Sequence, residues 1–251
     1  MSLLRRTARR LIVATLYGVL HGRARPLSLP APGSVVLVIA PHPDDESLGC
    51  GRFIAACGDA GVRVHLVWMT DGEASHPVAD PAALGRRRKA EAIAAAAFLG
   101  VPAERCHHFA GPDGRLSALA PDERERLVSG LARLVDDLRP AEVFVTTAFD
   151  GSTEHRATHG FAAEALARLP ESPPLRTYLV WAHWNVRALA RACLGARSVW
   201  WRRDPARNAR RQAALAAHAT QLQPLPPATQ PLLSPHFLAC FPANGEFYLD
   251  R

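Results

Sequence analysis

Cysteine is scarce in this sequence of 251 residues, and its five cysteines stand far apart. No two of them have the close spacing of a zinc knuckle, and five is an odd number for a framework of disulfides. We therefore expect small buried thiols in a protein that works in a reducing compartment, the cytoplasm. The cysteines are Cys50, Cys57, Cys106, Cys193 and Cys240.

The sequence also lacks an apolar run that could cross a membrane. The candidate run, Leu11–Leu20, has ten residues, about half of the number that a helix needs to cross a bilayer. It could be the apolar centre of a signal peptide, but no clear small-residue cleavage site follows it. Two arginine pairs, Arg5–Arg6 and Arg9–Arg10, precede this run. We interpret residues 1–33 as a basic amphipathic helix and a linker. The helix either packs on the body of the protein or makes a peripheral contact with the inner face of an anionic membrane.

The charge of the chain is unbalanced. Its formal net charge is +7 and its isoelectric point is about 9.8, which favours acidic partners such as phospholipids or lipid-linked sugars. The arginines are spread over several segments and accompany no recognition motif, so we expect no nucleic acid partner. Internal repeats are not apparent, and nothing indicates an oligomeric state.

Strand and helix patterns alternate after residue 33. This alternation predicts one α/β domain over residues 34–251, a Rossmann-like, mainly parallel sheet with helices on both faces. A GxGxxG turn does not follow the first strand, which argues against NAD binding. The predicted strands are 35–40, 63–70, 106–109, 142–147 and 176–183, and the predicted helices are 47–60, 82–99, 121–138, 155–168 and 207–219.

The segment that directly follows the first strand carries the most chemistry. It reads APHPDDESL, and its histidine and carboxylates are a ligand set that suits zinc or a similar divalent cation. Adjacent side chains point different ways, so one carboxylate could bind a cation while its neighbour stays free as a base. The alternative is a solvated acidic loop, with Glu46 near a helix N-terminus. Parallel strands bring their carboxyl ends to one edge, so a distant His155 could approach His42.

Five motifs in this order resemble those of the PIG-L family, the LmbE-like zinc-dependent N-acetylglucosaminyl de-N-acetylases. Together they span most of the chain. They are PHPDDESLGCG at Pro41–Gly51, TDGE at Thr70–Glu73, RKAE at Arg88–Glu91 followed by LGV at Leu99–Val101, EHRAT at Glu154–Thr158 and AHATQ at Ala217–Gln221.

The resemblance implies a metal centre and a reaction. It makes His42, Asp45 and His155 the ligands of Zn²⁺ or another divalent metal, and Asp44 the general base. Three protein ligands leave a position for water, and zinc lowers the pKa of such a water to about 7. The implied reaction is the removal of an N-acetyl group from an amino sugar.

The resemblance also suggests residues that bind the substrate. Arg88 matches an arginine of the family pattern in a predicted helix, and its guanidinium suits sugar hydroxyls or phosphate. Asp71 and Asp113 are candidate acceptors for sugar hydroxyls, although an Asp-Gly pair is also ordinary turn chemistry.

Two family positions are different in this chain, and the first is Arg52, where a further glycine is usual. The second has a consequence for catalysis. The family has a second histidine three residues before the last ligand, and this chain has Ser152 there, whose neutral hydroxyl we expect near the substrate. His218, in the late motif, is the first candidate for the missing catalytic role, and His159 and His183 are others. His155 and His159 could also share a zinc ion as in metalloproteases, but no glutamate lies between them, so a protease is disfavoured.

Three functions are therefore open. The first is a zinc-dependent N-deacetylase that acts on a GlcNAc-type sugar of a glycoconjugate or glycolipid, either small or lipid-linked. The second is a hydrolase of another N-acyl amide, such as one with a longer acyl chain. The third, suggested by Ser152, is a catalytically impaired protein that binds sugar or lipid on the same fold. Four tryptophans, with Tyr178 nearby, could stack on a sugar or contact an acyl chain, although core packing is the commoner role of tryptophan. They are Trp181, Trp184, Trp200 and Trp201.

Overall fold

The computed structural model describes residues 3–250, with side chains from residue 8 onward. Parts of the predicted segments, namely residues 1, 2 and 251 and the side chains of Arg5 and Arg6, lie outside the described residues.

One mixed sheet of eight strands forms the centre of the described fold, in the order β1-β7-β8-β6-β5-β2-β3-β4. Five of the seven pairings are parallel, and the two that involve β8 are antiparallel. The strands are β1 (Ala24–Pro26), β2 (Val35–Ala40), β3 (Arg63–Thr70), β4 (Cys106–Gly111), β5 (Glu142–Thr146), β6 (Leu175–Tyr178), β7 (Val199–Arg203) and β8 (Gly245–Leu249).

Helices cover both faces of this sheet. All six residues of β2 are buried, and they alternate between two cores, with Val36 and Val38 on one face and Leu37 and Ile39 on the other. The predicted α/β fold is confirmed. The helices are α1 (Leu3–Arg23), α2 (Asp45–Gly49), α3 (Gly51–Asp59), α4 (Pro81–Phe98), α5 (Pro121–Leu138), α6 (Thr153–Ala167), α7 (Trp181–Trp184), α8 (Val186–Gly195), α9 (Asn208–Ala217), α10 (Ala219–Leu222) and α11 (Pro235–Leu238).

The predicted strand 176–183 is wrong beyond Tyr178. The chain turns at Val180, whose φ is −126° and ψ is −80°, and residues 181–184 form α7. The buried carboxylate of Asp150 accepts the backbone N–H of Ala182, which fixes this change of direction. His183 therefore lies in a short helix and not at the end of a strand.

The N-terminal helix packs on the body of the protein, which was one of the two alternatives for it. Val13, Leu16, Tyr17 and Leu20 lie against a core built largely from β8 and α8, and β1 then pairs with β7. The boundary between residues 33 and 34 remains a prediction. Within residues 3–250, no helix has both the length and the apolar character that a membrane crossing requires.

Candidate functional site

A cavity of about 400 Å³ opens at the carboxyl ends of β2 and β5, and the motif-bearing loops line it. Pro41 follows β2, and its carbonyl accepts the backbone N–H of Thr70 at the end of β3, which holds the two loops together. The loop after β5 carries Asp150 and Ser152, and α6 begins at its end. Parallel strands therefore bring sequence-distant polar groups to one edge.

Two imidazoles and one carboxylate converge beside this cavity. His42 Nδ1 lies 3.1 Å from Asp45 Oδ2, and His155 Nε2 lies 3.3 Å from the same oxygen. The three predicted ligands offer atoms that all lie within 4.8 Å of one another. His155 is completely buried, and its Nε2 has no hydrogen-bond partner within the described part of the chain. A buried nitrogen of this kind, aimed at a carboxylate and a second imidazole, fits a divalent cation.

Two further carboxylates contact the outer nitrogens of the same imidazoles, that is, the ring nitrogens that do not face Asp45. Asp150 Oδ2 lies 2.6 Å from His155 Nδ1, and Glu154 Oε2 lies 2.8 Å from His42 Nε2. Because an ionised carboxylate only accepts, each histidine donates its outer proton and directs its other nitrogen towards Asp45. Asp113 Oδ1, 3.3 Å from His42 Nε2, completes a second group with His42 and Glu154 that could hold a metal ion.

The pKa shifts of the three predicted ligands reflect the negative charge concentrated around the two imidazoles. Burial lowers the pKa of His155, but Asp45 and Asp150 outweigh it and raise the pKa to about 9. Burial also lowers the pKa of His42, and its carboxylate partners outweigh this effect as well. Burial raises the pKa of Asp45, but both imidazoles lower it overall. Protons on the two imidazoles thus balance the carboxylates, and a divalent cation can supply the same charge.

Asp44 combines backbone strain with burial. Its φ of 134° lies in a region that only glycine adopts easily, and its side chain lines the cavity. Burial, followed by the charge of Asp45, raises the pKa of Asp44 to about 7, although Arg88 and His218 lower it. Arg88 Nη2 lies 3.3 Å from Asp44 Oδ2.

The side chain of Arg88 extends from α4 to the cavity and passes close to the backbone of Gly72 and Pro43. Its Nη1 donates to Gly72 O at 2.9 Å, and its Nη2 donates to Pro43 O at 2.8 Å. A Cβ on Gly72 would lie 2.0 Å from Arg88 Nη1, and the φ of this glycine is +69°. The glycine of the TDGE motif is therefore required by the guanidinium that passes it.

Ser152 occupies the position of the missing histidine and begins α6. Its hydroxyl oxygen accepts the backbone N–H groups of Glu154 and His155, so this residue caps the helix that carries one predicted ligand. Ser152 also lines the cavity. It can donate its hydroxyl hydrogen there, but it supplies no charge.

The three candidate replacements for that histidine lie elsewhere. Among the described residues that line the cavity, none of His159, His183 and His218 occurs. His159 is buried on α6, and His183 Nδ1 lies 2.6 Å from the Tyr17 hydroxyl. His218 Nε2 lies 3.3 Å from Ser47 Oγ, in the PHPDDESLGCG segment.

His218 belongs to a buried hydrogen-bond network that includes residues of the PHPDDESLGCG segment. It lies 3.6 Å from Glu46 Oε1, and the other oxygen of Glu46 accepts from Trp68 Nε1 at 2.8 Å. Next to it, Thr220 donates its hydroxyl to Glu91 at 2.6 Å, which joins the late motif to α4. These contacts join the late motif to both the PHPDDESLGCG and the RKAE segments.

The two candidate sugar acceptors have different positions. Asp113 lines the cavity, and its second oxygen accepts the backbone N–H of Ala74 at 2.8 Å. Asp71 contacts His108 Nδ1 at 3.0 Å and lines a neighbouring depression instead. The structure therefore brings Asp113 together with His42 and leaves Asp71 outside the cavity.

Six apolar residues that line the cavity form what we call the apolar wall, of which only the tryptophans were predicted from the sequence. Its residues come from α7, α11 and the segments before them, and the Trp181 and Phe237 ring centres are 4.8 Å apart. Glu154 and Asp150 were also missed, although each lies within five residues of His155, where a partner for a metal-binding histidine could have been sought. The apolar wall consists of Val180, Trp181, Trp184, Leu232, Leu233 and Phe237.

Comparisons with known proteins agree with this geometry. A 1D-myo-inositol 2-acetamido-2-deoxy-alpha-D-glucopyranoside deacetylase of Mycolicibacterium vanbaalenii is 30% identical, over 62% of this chain and 62% of the relative. A probable N-acetyl-alpha-D-glucosaminyl L-malate deacetylase 2 of Bacillus anthracis is 30% identical, over 58% of this chain and 65% of the relative. The chain spans about a third to two thirds of the length of the curated relatives that it matches.

Solved structures share the fold. A deacetylase of the teicoplanin biosynthesis pathway, in complex with bog, has a TM-score of 0.66 and 20% identity, over 86% of this chain and 97% of that one. A conserved protein from Thermus thermophilus has a TM-score of 0.62 and 22% identity, over 86% of this chain and 93% of that one. The profile of the PIG-L family, described as GlcNAc-PI de-N-acetylase, matches residues 37–166, which is more than half of the chain, and the protein therefore belongs to this family.

Proposed function

We propose that this protein is a metal-dependent hydrolase that removes an N-acetyl group from a GlcNAc-type amino sugar of a glycoconjugate or glycolipid. The observation that carries the proposal is the convergence of His42, Asp45 and His155 within 4.8 Å, beside the buried carboxylate of Asp44. Two similar proteins are named as deacetylases of acetamido or N-acetyl sugars, which supports this substrate class.

His42, Asp45 and His155 would hold Zn²⁺ or another divalent cation. When bound, the cation polarises the amide carbonyl, makes an attacking water more acidic and cancels the charge of Asp45. Asp44, whose carboxylate lines the cavity, would accept a proton from the water. Arg88 holds Asp44 in place at 3.3 Å and is the cation that remains to bind the polar head of the substrate.

The leaving amine also needs a proton. In the family a histidine could supply this proton, but this chain has Ser152 at that position. His218 lies against Ser47 of the PHPDDESLGCG segment. We infer that Asp44 returns to the amine the proton that it took from the water, so that one carboxylate acts in both steps. His218 then acts indirectly, through its contacts with Ser47 and Glu46. Asp113 and the Ser152 hydroxyl would bind sugar hydroxyls, and Asp71 would act only through His108.

Two matched aspartate variants test this mechanism. Asp44→Asn keeps the size of a cavity-lining side chain but cannot accept a proton, so acetate release from GlcNAc-containing substrates should fall about a thousandfold. Asp71→Asn changes the same residue type outside the cavity and should leave turnover within about twofold. Bound zinc, measured by elemental analysis, should be equal in both. Wild-type turnover in Asp44→Asn would overturn the mechanism.

The apolar wall favours a second candidate, a longer N-acyl group or an apolar aglycone next to the sugar. Apolar side chains from three segments line the same cavity as the charged residues, and acetyl alone would leave most of them without a contact. Rates across N-acyl sugars of increasing chain length distinguish the two candidates. Protein that binds zinc and sugar but releases no acid from any of them would be the impaired binding protein that Ser152 first suggested.

We propose the cytoplasm as the place of action. All five cysteines are free, and three of them, Cys50, Cys57 and Cys193, are buried, as expected in a reducing compartment. The substrate is either a small sugar conjugate or a lipid-linked one. Mass spectrometry of the protein from cells, with thiols blocked before lysis, should find all five cysteines reduced.

A further inference from the structure

The outermost face of α1 is unusual for a helix on a protein surface. Exposed helix faces normally carry charged side chains, whereas this face carries none between residues 8 and 22, and the exposed Arg10 and His21 lie at its edge. Leu11 is 65% exposed and Ile12 is 51% exposed, although the inner side of the same helix is already packed on the protein. The residues of this outer face are Ala8, Leu11, Ile12, Ala14, Thr15, Gly18, Val19 and Gly22.

The charge of α1 is of one sign. The helix contains five arginines and neither aspartate nor glutamate. Within the part of the chain whose side chains are described, no carboxylate lies within salt-bridge distance of Arg9, Arg10 or Arg23. Arg5 and Arg6 add two positive charges one turn before Arg9 and Arg10. A basic helix end beside an uncharged apolar face complements a lipid bilayer, which has anionic headgroups at its surface and apolar chains beneath them.

We propose that α1 docks this protein on an anionic lipid bilayer, with Leu11, Ile12 and Val19 in the interface and the exposed Arg10 at the phospholipid headgroups. The helix then lies in the plane of the bilayer, as interfacial amphipathic helices do. A lipid surface satisfies both features at once, whereas a second copy of the chain would place arginine-rich helices of like charge against each other.

The position of α1 gives this docking a consequence for the cavity. Arg9 Nη2 donates to the backbone carbonyl of Trp184 at 2.8 Å, and its guanidinium lies 5.5 Å from the centre of the Trp184 ring. Trp184 lines the apolar wall of the cavity. The docking surface therefore adjoins the apolar side of the cavity, and a docked protein would receive an amphiphilic substrate from the bilayer.

Vesicle co-sedimentation of the full chain tests the proposal without any turnover, so its failure and that of the proposed function are distinguishable. We expect binding to vesicles of equal parts phosphatidylglycerol and phosphatidylcholine at low salt. Raising the salt from 0.05 M to 0.5 M should weaken this binding about tenfold or more, because the Debye length shortens several-fold. Vesicles of pure phosphatidylcholine should bind at least tenfold less.

A matched pair of variants localises the contact. Ile12→Glu should reduce binding to the anionic vesicles about tenfold, since a charge replaces an apolar side chain in the interface. Phe98→Glu is the control, because Phe98 is also 51% exposed but lies on α4, which packs with α9. It should bind like the wild type. Thermal unfolding and hydrolysis of a soluble substrate should be the same in both variants.

Three results would overturn the proposal. One is the absence of binding to anionic vesicles, and another is an equal effect of both variants. The third is a dimer in the absence of lipid that Ile12→Glu converts to a monomer, which would mean that a second copy covers this face.

Discussion

One buried histidine outside the cavity should lower the stability of the protein as the pH falls below 6.5. Burial, and then the charge of Arg211, lowers the pKa of His183 from 6.5 to about 3. Its ring is 6% exposed and lies against the Tyr17 hydroxyl of α1 and the Phe241 ring, 4.7 Å away. No carboxylate lies within salt-bridge distance of it in the described structure. The folded protein therefore keeps His183 neutral, whereas the unfolded chain protonates it.

The size of the effect follows from proton linkage. A histidine with a depressed folded pKa contributes no penalty above its unfolded pKa, and its penalty grows as the pH falls towards the folded pKa. With values of 6.5 and about 3, protonation of the unfolded chain at pH 5 lowers the free energy of unfolding by about 2 kcal/mol relative to pH 8. The raised pKa values of His42 and His155 contribute to the pH dependence with the opposite sign, so the difference between matched variants is the useful quantity.

Urea unfolding of the wild type and of His183→Gln, at pH 8 and at pH 5, measures that difference. The glutamine does not titrate, so the stability advantage of the wild type should be about 2 kcal/mol smaller at pH 5 than at pH 8. Phe241→Leu disturbs the same packing without removing a titrating group, and its offset from the wild type should be equal at both pH values. If the His183→Gln offset is also equal, His183 titrates normally and the reasoning from burial is refuted.

Three further predictions concern the site and its support. Asp150→Asn should weaken zinc affinity about 10- to 100-fold in a chelator competition, because His155 loses the carboxylate that orients it; unchanged affinity would contradict this role. Glu246→Ala should cost about 3–5 kcal/mol in urea unfolding, because buried Arg52 and its neighbours lose their counter-charge and α3 loses a cap; a cost below about 1 kcal/mol would contradict it. Phe237→Ala should raise KM about tenfold for long N-acyl substrates and leave that for N-acetyl substrates unchanged, as the apolar wall implies.

The position of the site could be predicted from the sequence because it depends on local rules. A buried strand that ends in HPDD must deliver those side chains to the carboxyl edge, and the approach of His155 follows from parallel strand pairing. The convergence of three ligand atoms within 4.8 Å is the geometric result of that rule.

The surroundings of the site could not be predicted in this way because they depend on contacts between distant segments. The late motif resembles a catalytic one, but in the folded chain His218 lies against Ser47 and Glu46, about 170 residues away in the sequence. The apolar wall is assembled from α7, α11 and the loops before them, and none of these has a periodic pattern of its own. The strand character of β8 was equally hidden, because its Glu246 is a buried charge whose partners lie almost two hundred residues away.

The order of the sheet also constrains how the chain can be made. β8 follows every other described strand in the sequence, yet it lies between β7 and β6. While the ribosome still encloses residues 245–249, β6 and β7 cannot be bridged, and both present open edges to other nascent chains. Translation must therefore pass residue 249 before the two parts of the sheet can join, and until then the open edges of β6 and β7 are sites of aggregation.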